Sequence, residues 1–95
     1  MLHVVQGDVF EFSITLCNVD FGLIEKVEFV SKRLAITERA VLEDSTYQVR
    51  IPGDITKEFP LGFAKYNVIV TFIDGEELTV RCDKVEVLGR VVRNE

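Results

Sequence analysis

Tryptophan is absent, histidine occurs once, and the chain of 95 residues holds only two cysteines, two prolines and two tyrosines. These scarcities exclude much chemistry. A serine or cysteine nucleophile needs a nearby base, and His3 is the only histidine, sited in an expected edge strand where Ser13, Ser31, Ser45, Cys17 and Cys82 find no orienting partner. No catalytic triad is expected. Zinc takes about four ligands, so Cys17, Cys82 and His3 make no metal centre, and no acidic run carries the glycine of a calcium loop. The glycines are isolated, and none forms a phosphate-cradling loop between a strand and a helix. The expectation is therefore no catalytic residue, no cofactor and no metal.

Basic residues are also in deficit: 11 Lys and Arg stand against 16 Asp and Glu, a formal charge of -5, and the basic residues form no run. Nucleic-acid binding relies on clustered cations that displace counterions, and adsorption to an anionic membrane needs the same sign, so both partners are disfavoured. No apolar stretch approaches the roughly 20 residues that span a bilayer, so membrane insertion is not expected. The opening Met1-Leu2-His3-Val4-Val5 has neither a basic start nor a long apolar block. It does not read as a secretory signal, and synthesis in the cytoplasm is expected.

What is abundant is apolar residues in alternation. Hydrophobic residues make up 47% of the chain, enough to offset the entropy of ordering one domain, and 95 residues allow only one. Period-two patterning recurs throughout: Phe10, Phe12, Ile14 and Leu16; Val27 and Phe29; Tyr47, Val49 and Ile51; Ala64, Tyr66, Val68, Val70 and Phe72; Leu78, Val80 and Cys82. Leu34, Ile36 and Val41 suggest two short edge strands. Asp54 to Gly62 reads as a crossing connection with one helical turn that starts at Asp54 as its cap and ends before Pro60. The pattern predicts an all-β, immunoglobulin-like β-sandwich of about seven antiparallel strands over residues 1–95, with a core of Phe10, Phe12, Ile14, Leu16, Val27, Phe29, Tyr47, Val49, Ile51, Tyr66, Val68, Val70, Phe72, Leu78 and Val80.

The phases specify details. A two-residue hairpin at Asp74-Gly75 would turn one strand's apolar side outward, so a three-residue loop, Ile73-Asp74-Gly75, is predicted, with positive φ at Gly75 and Val70 opposite Leu78, Val68 opposite Val80 and Tyr66 opposite Cys82. The shift of apolar phase to Val85 and Val87 implies a bulge near Asp83-Lys84. Cys17 and Cys82 fall on opposite strand faces, which favours free thiols. Tyr66 suits either a tyrosine corner or an ordinary core position. Carboxylate groups such as Glu76-Glu77 and Glu43-Asp44 fall in turns or on solvent-facing positions, where they protect edges. Apolar residues left over from the core, Phe21, Val30, Phe59, Phe63 and Ile73, with Val91-Val92 in the tail, are candidates for a protein interface; those in loops could instead plug the ends of the sandwich.

The order Val4-Val5-Gln6-Gly7-Asp8, then a long alternating strand, then Ile51-Pro52-Gly53-Asp54-Ile55-Thr56 leading through Pro60-Leu61-Gly62 to Tyr66 and on to Phe72-Ile73-Asp74-Gly75-Glu76, resembles Ig-like structural domains of phage and prophage tail, baseplate and related virion proteins. The gap from Gly62 to Tyr66, filled by Phe63-Ala64-Lys65, is longer than that pattern has. The resemblance implies a non-catalytic virion assembly protein, made in the bacterial cytoplasm, whose partners are other virion proteins or further copies of itself. A ligand- or carbohydrate-binding sandwich is the alternative; against it, there is no Trp and both Tyr fall in the expected core.

Overall fold

A computed structural model of the chain describes residues 2–90. Eight strands, β1 (Leu2–Val5), β2 (Phe10–Ile14), β3 (Ile24–Ser31), β4 (Ile36–Arg39), β5 (Val41–Glu43), β6 (Thr46–Ile51), β7 (Gly62–Phe72) and β8 (Glu77–Leu88), are joined by turns, a 3-10 helix at Phe21–Leu23 and one short α-helix, α1 (Gly53–Thr56). The all-β class follows. Five strands form one sheet in the order β1-β8-β7-β3-β4 and three form a second in the order β2-β6-β5. The pairing is not uniformly antiparallel as expected, because β1 runs parallel to the last four residues of β8, from Leu2 opposite Val85 to Val5 opposite Leu88.

The expected alternation builds the core. Tyr47, Val49 and Ile51 of β6 are buried against Val27 and Phe29 of β3 and Tyr66, Val68 and Val70 of β7. Phe12 bridges the layers, its ring centroid 5.4 Å from Phe29 and 6.3 Å from Tyr66, while Phe29 and Tyr66 stack at 5.0 Å. The chain passes from β4 in one sheet to β5 in the other at Ala40, a small buried residue whose N–H donates to the Val27 carbonyl at 2.8 Å. That closes one long side of the two layers.

The late hairpin matches its predicted loop and departs from its predicted register. The Phe72 N–H donates to the Glu76 carbonyl, the Gly75 N–H donates to the Phe72 carbonyl, and Gly75 has φ +92, so Ile73-Asp74-Gly75 is the loop. Val70 faces Leu78 as expected. The bulge, however, lies at Val80 and not near Asp83-Lys84, so that Arg81 stands opposite Val68 and Asp83 opposite Tyr66. Leu78 and Val80, expected in the core, are 51% and 37% exposed. The three-stranded sheet is narrower than the five-stranded one, and the first eight residues of β8, Glu77 to Lys84, are exposed.

At the other end of β6, Pro52 supplies no amide proton and the chain turns into α1. Pro52 itself occupies the cap position, where Asp54 had been expected; Asp54 lies in the first turn. Thr56 is fully buried and ties α1 to the β1–β2 turn: its hydroxyl donates to the Asp8 carbonyl at 2.7 Å and accepts from the Gly7 N–H at 3.1 Å. Gly53 packs so closely there that a Cβ would lie 2.3 Å from the Gly7 carbonyl oxygen.

Candidate functional site

Directly paired residues of antiparallel strands share a face of the sheet. On the outer face of the five-stranded sheet this register sets Lys65 of β7 opposite Lys84 of β8, two like charges in a position where opposite charges would stabilise. Two residues back along β7, Phe63 is 52% exposed and stands opposite Glu86, and the Lys84 ammonium sits 5.9 Å from its ring centroid. Lys32 and Arg33, in the β3–β4 turn, line a shallow depression with Phe63 and Lys65. The Arg33 guanidinium donates to the Leu61 carbonyl at 3.1 Å. Among the described residues none of these four cations takes part in an ion pair; the pairs are Lys26–Glu28, Arg50–Glu11 and Arg90–Asp8, and Glu86 lies beside the His3 ring. In a chain of net negative charge, four cations around Phe63 against the single carboxylate of Glu86 opposite its ring make a local inversion of sign.

The opposite end of the strands is acidic. Glu43 ends β5 and Asp44 follows it in the turn to β6, while Asp74 and Glu76 lie in the β7–β8 turn and Glu77 opens β8. The segment between β2 and β3 joins them: Phe21 packs on Tyr47 at 6.1 Å, the Ile73 N–H donates to the Leu23 carbonyl, and the Asp20 carboxylate accepts from the Gly22 N–H. Leu23, Leu42 and Ile73 are exposed among these carboxylates.

The expected interface residues are therefore divided. Phe63 belongs to the cationic end and Ile73 to the acidic end; Val30 is half-buried on the outer sheet face opposite Asn67, and Phe21 is half-buried against Tyr47. Phe59 is only 3% exposed and offers no surface contact, because it plugs the end of the layers beside α1, its carbonyl accepting from the Gln6 side chain. Val91-Val92 lie outside the described residues. Sequence spacing does not bring the charges together, since Lys65 and Lys84 meet only through the β7–β8 register.

Among the remaining candidates, Cys17 and Cys82 are exposed free thiols. His3 Nδ1 lies 3.2 Å from Glu86 on the β1–β8 edge. Tyr66 is an ordinary core tyrosine and forms no tyrosine corner, its hydroxyl buried without a hydrogen-bond partner among the described residues. Burial pushes its phenol pKa up, the Arg81 guanidinium pulling the other way, and burial raises that of Tyr47 as well. Both tyrosines being buried, neither supplies the exposed ring of a sugar-binding platform. No group of three or more His, Cys, Asp or Glu among the described residues is placed to hold a metal ion. No protein-family model and no curated protein matches the chain.

Proposed function

We propose that the chain is a non-catalytic structural module, an immunoglobulin-like sandwich of a phage or prophage virion that works by packing against other virion proteins or copies of itself. The observation that carries the contact role is the presence of exposed apolar side chains beside unpaired charges at both ends of the strands, Phe63 at one and Ile73 and Leu42 at the other. Exposed apolar residues grouped with charge are the usual makings of a protein interface.

The sandwich reading draws on strand order. Taking β2, β3, β5, β6, β7 and β8 as strands B, C, D, E, F and G puts B, E and D in one sheet and C, F and G in the other, the partition of immunoglobulin-type sandwiches. The virion setting draws on the resemblance of the turn and core motifs from Val4 to Glu76. Size-exclusion chromatography with light scattering, on the chain alone and with each product of the flanking genes, tests the proposal. A defined complex with a head, portal or tail protein is expected. A strictly monomeric chain that binds none of them, within a metabolic or cell-surface gene cluster, overturns it.

A further inference from the structure

The two charged ends lie on one molecule and are complementary. At about 3.3 Å per residue, the seven steps of β7 from Lys65 to Phe72 separate the Lys65–Lys84 pair from the acidic turn after the strand by roughly 23 Å. That is about three Debye lengths at physiological salt, where screening reaches about 8 Å. Each end therefore meets a partner by its own sign, and the net charge of -5 does not set the local interaction.

We propose that the cationic patch formed by Lys32, Arg33, Lys65, Lys84 and Phe63 docks the acidic loop end of a second copy, head to tail. This rests on the assembly reading and names the partner. Several observations single out a second copy. The like-charged Lys65–Lys84 pair is unfavourable in the isolated chain and is relieved by an incoming carboxylate. The acidic end supplies Glu43, Asp44, Glu76 and Glu77, none of them in an ion pair among the described residues. Both ends also expose apolar residues, Phe63 and Leu61 at one, Ile73 and Leu42 at the other, so contact would bury apolar surface between matched charges. Because the two surfaces differ, the contact is heterologous and propagates into a ring or a filament.

The test uses two variants whose changes fall on exposed side chains: Lys65→Gln/Lys84→Gln blocks the cationic end, and Glu43→Gln/Glu76→Gln/Glu77→Gln blocks the acidic end. Sedimentation velocity in low salt should find the natural chain in concentration-dependent oligomers and each variant alone associating about tenfold more weakly. An equimolar mixture of the two should yield a discrete dimer, since one intact end of each remains. A natural chain that stays monomeric in low salt overturns the proposal, as does undiminished association of either variant or a mixture that fails to form the dimer. Salt reversal of the natural chain's association gives a readout that needs no variant. A chain that binds a flanking-gene product yet never itself refutes the second copy and leaves the assembly reading standing.

Discussion

Replacing Thr56 with valine keeps the shape of the side chain and removes its hydroxyl. In the native chain that hydroxyl donates to the Asp8 carbonyl and accepts from the Gly7 N–H, at a position with no solvent exposure. Valine leaves one backbone donor and one acceptor without partners in a partly buried turn. At about 1–3 kcal/mol for each unsatisfied group, with the lower half of that range apt for partial burial, Thr56→Val should cost about 2–4 kcal/mol. For a domain of this size the melting temperature falls by about 4–8 °C per kcal/mol, giving a drop of roughly 8–30 °C. Thr56→Ser keeps the hydroxyl, loses one buried methyl group, and should cost only about 0.5–1.5 kcal/mol. Urea denaturation of the three proteins decides the matter. A valine variant as stable as the serine variant would refute the claim that this hydroxyl holds the β1–β2 turn against α1.

Gly53→Ala drives a Cβ into the Gly7 backbone and should destabilise by about 3 kcal/mol, read as a lowered denaturation midpoint. Tyr66→Phe removes a buried, unpartnered hydroxyl while keeping the stack on Phe29, so stability should be unchanged or rise by up to about 1 kcal/mol; a loss larger than that would mean the hydroxyl has a partner. Because burial raises the pKa of Tyr47 and Tyr66 in the folded chain, their contribution to stability is complete below the unfolded value of about 10 and is lost as pH climbs through the folded values; phenolate absorbance should appear late and together with unfolding. Lys65→Glu turns the like-charged pair with Lys84 into an attractive one and should stabilise the monomer by about 0.2–1 kcal/mol in low salt, a gain that shrinks as salt is added.

Much of the fold was legible because alternation has a period that only strands share. Thr46 to Ile51 reads directly as a strand with Tyr47, Val49 and Ile51 inward, and β6 has those bounds and that face. The apolar phase on either side of Asp74-Gly75 also specifies the loop, since a two-residue turn would invert one strand. The bulge was misplaced because Thr79 and Val80 are both good strand formers, so nothing in the sequence marks Val80 as the extra residue; its position depends on what β7 presents opposite. Leu78 and Val80 look like core by pattern, and only the narrower facing sheet leaves them exposed. The role of Thr56 was invisible because it is tertiary: its partners, Gly7 and Asp8, lie far away in the chain. The charged ends were hidden for the same reason, with scattered Lys and Arg gathered by strand register and turn placement.

The most direct test of the account is the ionic-strength dependence of the natural chain's self-association constant, measured by sedimentation equilibrium from about 10 mM to about 0.5 M salt, across which the screening length falls from about 30 Å to a few ångströms. Docking between complementary charged ends requires the constant to fall at least tenfold over that range. A constant that holds steady or rises with salt would mean that apolar contact alone joins the copies, and would contradict the assignment of Lys65, Lys84 and the acidic loops as the meeting surfaces.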